Sequence, residues 1–310
     1  MIRLGLCCKF QNEPIRFYTA TARYTSGLNR LERYNKISQL CLRNALSLLQ
    51  SIEYCGKNNI GSFRINSQIL PLKTHPDLKY NVDSLPDAKE IKKTFSLCRK
   101  RAQDLGVRLT FHPDQFILLS SPDPLITKKS IEELDYQAEV SEWVGADVIN
   151  IHAGGVYGDK KSALERVGRS LSKLNKRIRE RLTFENDDRS YTPADLLPFC
   201  ENYGVPFVYD AHHHRCLPDN LTIEETTTRA LKTWNREPLF HISSPKENWQ
   251  SDNPRWHHDY IDIKDFPECW RGLNITLEVE AKAKELAVKK LWGQLHIKNY
   301  QRASSDVNEL

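Results

Sequence analysis

No CxxC pair occurs in the chain, although cysteine is not scarce: Cys7, Cys8, Cys41, Cys55, Cys98, Cys200, Cys216 and Cys269 are present. That absence excludes a zinc ribbon and leaves reduced core or surface thiols as the simplest reading. Long apolar runs are missing too. Nothing approaches the roughly 18 apolar residues of a membrane span. The apolar stretch in "MIRLGLCCKF" is too short for a signal peptide and carries no cleavage site. A cytoplasmic protein with no membrane partner is expected. No linker, low-complexity tract or short-period repeat interrupts the 310 residues, so one domain over 1–310 is expected. A Gly-rich phosphate fingerprint after the first strand is also absent, which weighs against a dinucleotide-binding fold. Charge of neither sign dominates: the formal net charge is +5 and the pI about 8.7. That balance permits a polyanionic partner without requiring one.

What is present is a rhythm. Short apolar runs alternate with longer amphipathic segments. Strands are read at 2–7, 60–65, 107–112, 147–152, 181–186, 206–211, 238–243 and 273–280. Helical patterns fall at 31–55, 86–105, 130–144, 160–178, 222–234 and 281–292. Strand-then-helix units call for a parallel sheet with right-handed crossovers, and eight of them can close into a (β/α)8 barrel. An open doubly wound sheet is the alternative. The segment Ser244 to Asp265 is long, and rich in Trp, His and Asp.

Polar groups recur where these strands end. His75 follows strand two, and His112 with Gln115 ends strand three in "FHPDQF". His152 ends strand four, and Glu185 ends strand five in "FENDDR". "YDAHHHRC" supplies Asp210 and His213 after strand six, with Cys216 beside them as a less favoured soft ligand. Strand seven contains His241, its loop adds His257 and His258, and strand eight ends in Glu278 and Glu280. Each has a bland reading alone: a structural histidine, an exposed polar turn, or an acid at a helix N-terminus. Recurrence at successive strand ends decides against accident, because a barrel gathers those ends on one face. Imidazoles with carboxylates suit Mn²⁺, Zn²⁺, Fe²⁺ or Co²⁺. More donors are available than one ion needs, so a site for two or three divalent ions is expected, of the kind that serves phosphoryl displacement.

The ordered set "FRINSQILPL", "FHPDQF", "NIHAGGVYGDK", "FENDDR", "VYDAHHHRC", "HISSP" and "HHDYID" resembles the UV damage endonuclease family, the UvdE-type nucleases, over nearly the whole chain. The resemblance implies a barrel of the endonuclease IV and xylose isomerase type, holding a cluster of divalent metals, commonly manganese. It implies incision of double-stranded DNA on the 5′ side of ultraviolet photoproducts, leaving a 3′-hydroxyl and a 5′-phosphate. Carried over by motif, the metal ligands are His75, His112, His152, Glu185, Asp210, His213, His241, His257 and Glu280. The family pattern His-x-Asp-Tyr-Ile selects His257 over His258. Glu185, His241 and Lys160 are the expected catalytic residues, Lys160 as a phosphate contact. Gln115 and Phe116 are the expected lesion-probing pair. Arg64 and Arg189 are candidate contacts to the DNA backbone.

The chain departs from the family pattern at Leu6 and Phe116, where tyrosine is usual, and at Leu239, where a lysine is usual. All the ligands remain, so an active enzyme is expected. A monomer is expected as well, since one barrel mouth can bend DNA alone. The rival readings are an abasic-site endonuclease on the same barrel, a two-metal sugar isomerase or epimerase, and a damage-binding barrel whose metals are structural.

Overall fold

All eight strands read from the sequence are present, each inside its expected range and usually shorter. They are β1 (Arg3–Cys7), β2 (Ser62–Ile65), β3 (Arg108–Phe111), β4 (Val148–His152), β5 (Leu182–Glu185), β6 (Phe207–Asp210), β7 (Leu239–Ile242) and β8 (Thr276–Val279). A computed structural model describes residues 1–114 and 116–306, with side chains as far as His296. Every strand pairs in parallel with the next, and β8 pairs with β1, closing a barrel in sequence order. The doubly wound alternative is excluded.

Alternation along the strands separates two cores. Leu4, Leu6, Phe63, Ile65, Phe111, Ile149, Phe184, Phe207, Tyr209, Phe240 and Leu277 belong to one buried cluster between sheet and helices. Each fully buried Phe there contributes about 1.5–3 kcal/mol of transfer free energy. Residues of the other parity fill the barrel. Near its N-terminal end Val148, Val208 and Leu239 pack with Trp234 as a small dry floor. Above that floor the interior turns polar, with Thr110, Asn150, Thr183, Glu185, Asp210, His241 and Glu278 all buried. Gly5 makes room for this layer, because a Cβ there would meet the Glu278 Cγ at 3.0 Å.

Helix ends follow local chemistry. Asn29 caps the helix Arg30–Lys57 in a reciprocal box with Glu32. The helix Pro124–Val144 begins earlier than its apolar pattern, because Asp123 caps it and Pro124 fits its first turn. The helical pattern over 160–178 is divided in two: Lys160–Leu171, then a short turn Lys176–Arg179 capped by Asn175. The helix Pro193–Tyr203 has no counterpart in the expected set, although Thr192 and Asp195 form a capping box with proline between them. Between β7 and β8 the described residues hold two 3-10 turns, Ile263–Asp265 and Glu268–Trp270, and one isolated antiparallel bridge.

Candidate metal centre

Glu185 stands at the middle of the polar layer, fully buried at the C-terminal end of β5. Four imidazoles approach its two oxygens. Oε1 lies 2.9 Å from His241 Nδ1 and 3.4 Å from His213 Nδ1. Oε2 lies 3.0 Å from His112 Nε2 and 3.9 Å from His152 Nε2. The Asn150 amide donates to Oε2 at 2.6 Å, and is itself oriented by the Thr183 hydroxyl at 2.9 Å. Burial opposes ionisation of Glu185, but the His241 and His152 imidazoles outweigh it and hold the carboxyl well below the usual range.

The "HHH" triplet divides into three roles. Asp210 ends β6 and caps a short helix, Ala211–Cys216, by accepting from the His213 backbone N–H at 2.8 Å. That turn swings His213 inward, with Nδ1 3.7 Å from Asp210 Oδ2 and 3.0 Å from the Asn186 carbonyl oxygen. His214 points away and bridges the Tyr209 hydroxyl at 2.7 Å and Asp219 at 3.1 Å, a structural arrangement. His212 is buried against the rings of Trp249 and His257, each 5.1 Å away. Burial holds the His212 imidazole down at about 4, so it is neutral at physiological pH.

A second acidic focus lies beneath β8. Arg64, itself buried, meets Glu278 Oε2 at 2.5 Å and Glu280 Oε1 at 2.6 Å. His241 joins both, its Nε2 3.2 Å from Glu278 and its Nδ1 3.4 Å from Glu280. Burial opposes the charge on Glu278, yet Arg64 and His241 bring its carboxyl down to about 2. His257 Nδ1 comes within 3.8 Å of Glu280 Oε2, whereas His258 is exposed and accepts the Tyr260 N–H at 2.9 Å. The pattern-based choice of His257 therefore coincides with the histidine that faces the acids.

The structure thus gathers His112, His152, Glu185, Asp210, His213, His241, His257 and Glu280. It does not bring His75 or Lys160 into contact with them. His75 Nδ1 accepts the Asp77 N–H at 3.2 Å, and the residue lines a separate cavity of about 800 Å³ shared with Phe116. Lys160 donates to Asp195 at 2.6 Å. Phe116 is 75% exposed beside that cavity, and Gln115 lies outside the described residues. Arg64 is committed to Glu278 and Glu280 rather than free for DNA, while Arg189 stays largely exposed next to Asp188. Leu6 packs in the outer core, so Cys7 is the β1 side chain exposed to the charges of Arg64, Glu278 and Glu280. Leu239 forms part of the dry floor. No motif in the sequence singles out Arg64 or Asn150 as an interior group, although strand parity marks both: Asn150 precedes His152 by two residues.

Three overlapping groups have donor atoms all within 4.8 Å of one another: His112, His152 and Glu185; His112, His241 and Glu280; Glu185, Asp210 and His213. Asp210 Oδ2 and His152 Nδ1 are buried without a hydrogen-bond partner, and an orphaned carboxylate oxygen within one of these groups is what a cation would satisfy. Nitrogen and oxygen donors without thiolate fit a divalent ion of the Mn²⁺–Zn²⁺ series.

Known proteins resemble this chain over most of its length. The family model for UV-endonuclease UvdE matches residues 2–308. The chain belongs to the UvdE family. A UV DNA damage endonuclease of Bacillus velezensis is 36% identical over 300 residues, covering 93% of this chain and 91% of that protein. One from Bacillus pumilus is 33% identical over 286 residues, covering 88% and 87%. Among solved structures, SacUVDE superposes with a TM-score of 0.85 at 26% identity, covering 96% of this chain and 99% of that one. Endonuclease IV from Thermus thermophilus shares the barrel, with a TM-score of 0.60 at 12% identity over 97% of this chain and 99% of that one. Like other UvdE members this chain is a nuclease by family, and no helix among its described residues is long and apolar enough to cross a membrane.

The electrostatics set a pH signature. Burial alone would lower the His241 imidazole, but Glu185 lifts it to about 10, and Asp210 and Glu185 lift His213 well above its usual value. A raised His241 stabilises the metal-free fold fully below its ordinary 6.5, and this is lost as pH climbs through about 10. A depressed Glu278 stabilises above its ordinary 4.5, and this is lost as pH falls toward about 2. Metal-free protein is therefore expected to be most stable between about pH 4.5 and 6.5. Binding a cation requires those imidazole nitrogens to shed protons. Calorimetric titration with Mn²⁺ at pH 7, in two buffers of different ionisation enthalpy, should show about one proton or more released. Heats independent of buffer would contradict the assignment of protonated imidazoles.

Proposed function

We propose that this barrel hydrolyses the DNA phosphodiester immediately 5′ to ultraviolet photoproducts, both cyclobutane pyrimidine dimers and 6-4 photoproducts, leaving a 3′-hydroxyl and a 5′-phosphate that begin excision repair. The observation that carries this reading is the imidazole and carboxylate cluster around Glu185 at the barrel mouth. Its proposed ions, two or three and most simply Mn²⁺, would be held by His112, His152, Glu185, Asp210, His213, His241, His257 and Glu280. His75 is a further proposed ligand through Nε2, since its Nδ1 accepts from Asp77. When bound, such ions supply hydroxide from water near neutral pH and neutralise charge on the phosphate and the leaving oxygen.

The remaining work belongs to side chains. Asn150 and Thr183 fix the carboxylate plane of Glu185, so the donor atoms meet the phosphate pre-oriented. The apolar floor of Val148, Val208 and Leu239 underlies the centre toward the barrel's N-terminal end. Phe116, with Gln115, is the proposed wedge: an exposed ring can occupy the gap left by a photoproduct, which stacks poorly and is easily extruded. Lys160 and Arg189 are proposed backbone contacts. DNA binding also has support on the flank. A groove of about 640 Å³ that starts at Ser121 is lined by Lys128, Arg166, Arg169 and Lys173, against the single acid Glu132. None of these four cations forms a carboxylate ion pair among the described residues.

The test is a duplex oligonucleotide with one cyclobutane dimer, incubated with enzyme and Mn²⁺. A nick directly 5′ to the dimer is expected, and none on undamaged duplex. Cleavage confined to an abasic-site control would move the protein to abasic-site repair.

A further inference from the structure

Trp256 is an anomaly. The indole is 58% exposed, although it immediately precedes His257, which turns inward to Glu280. Single exposed aromatics are common on surfaces, but one fixed at the rim of a nucleic-acid site is what base stacking uses. The segment is ordered here. Pro245 and His257 pair as an antiparallel bridge, the Lys246 N–H donates to the Trp256 carbonyl oxygen at 2.5 Å, and the His258 N–H donates to the Ser244 carbonyl oxygen at 2.8 Å. Arg255 ties the same hairpin to the Asp188 carbonyl oxygen at 3.0 Å. Along such an extended backbone neighbouring side chains point to opposite sides. His257 therefore takes the centre and Trp256 the solvent above it. The Lys246 ammonium stands 5.4 Å from the indole centroid.

We propose that Trp256, with Lys246, is a stacking platform for the nucleobase on the 5′ side of the cut, Lys246 meeting that nucleotide's phosphate. The inference rests on the reading of 5′ incision given above. In the closed ring β3 and β7 lie four strands apart, so their loops rise from opposite sides of the mouth. Phe116 is on the β3 loop and Trp256 on the β7 loop. With the photoproduct gap engaged at Phe116 and the scissile phosphate at the Glu185 cluster between the two, the strand continues in its 5′ direction toward Trp256. An indole accepts any base, because every base offers a π-face, and a neighbouring lysine adds attraction to the backbone. The platform therefore contributes affinity and placement, not sequence preference.

The experiment uses Mn²⁺-loaded full-length protein and a dimer-containing duplex with 2-aminopurine as the nucleotide 5′ to the cut. Wild type should change the 2-aminopurine fluorescence on binding, and W256F should retain that change. W256A should lose it, with Kd and KM raised about ten- to hundredfold. The loss should fall on KM rather than kcat, with Mn²⁺ content equal to wild type. An unchanged Kd in W256A overturns the proposal, and so does a defect that tracks Mn²⁺ loss, which would make Trp256 a support for His257. A response only from a probe on the 3′ side also overturns it. If wild type binds the duplex but does not nick it, the incision reading falls. A Trp256-dependent signal under those conditions still upholds the stacking platform, and its absence removes both.

Discussion

Glu185→Gln is expected to reduce cleavage of dimer-containing DNA by at least about 10³-fold, more than the ten- to hundredfold that follows loss of an outer partner of a ligand. The reason is position. Glu185 belongs to two of the three groups that can hold a cation, and its two oxygens face His241, His213, His112 and His152. Glutamine keeps the volume and can still accept the Asn150 amide, so the fold should persist. It removes the anion, however, and presents an NH₂ to imidazole nitrogens that would otherwise turn to a metal. Two readouts separate the explanations. Nicking reports the chemistry, and Mn²⁺ stoichiometry by electron paramagnetic resonance reports occupancy. Both should fall together. Activity within tenfold of wild type would place the chemistry away from this cluster.

How far the sequence announces this site depends on which residues are considered. The barrel is legible because parallel strands covered on both faces read as apolar runs, and each crossover helix carries its own amphipathic period. His112, His152, Glu185, Asp210, His213 and His241 are legible because they sit on the last strand residues or within a turn of them, where topology alone converges them. Residues fixed by strand parity rather than by strand ends are harder. Arg64 looks like a free cation in "FRINSQ", and nothing local says that two glutamates from the β8 end will close on it; only the position of β1 between β2 and β8 brings them together. His257 is separable from His258 only by family pattern, because the fold of the Ser244–Asp265 segment depends on a bridge to Pro245 and on Trp249 bonding Asp265 at 2.8 Å. Trp256 carries no chemical signal in sequence: an indole is as often core as surface, and its exposure is a property of the folded hairpin.

Arg64→Met should destabilise the metal-free protein by about 3–5 kcal/mol, the usual cost of breaking a buried ion pair from one side. For a chain this size that corresponds to a fall in Tm of roughly 5–10 °C. Arg64 offers a planar fork to Glu278 at 2.5 Å and Glu280 at 2.6 Å, while its charge opposes protonation of His241, whose Nε2 lies 2.9 Å away. Methionine fills similar space but leaves two buried carboxylates with His241 as their nearest positive partner. Their pKa values would then rise. The sign follows from Glu278, whose folded value of about 2 in the wild type stabilises the protein above its ordinary 4.5. The deficit should be largest near neutral pH and shrink as pH falls toward about 2, since a protonated carboxyl needs no counter-charge. Mn²⁺ should raise the variant's Tm more than the wild type's, because Glu280 shares a cation-holding group with His112 and His241. Thermal denaturation in chelator and in Mn²⁺, at pH 4 and pH 7, checks each statement. Equal stability of the two proteins in chelator at pH 7 would show that the ion pair contributes nothing net. Under the expected pattern, Arg64 keeps the β8 carboxylates ionised and in place inside the barrel before any divalent ion arrives to share them.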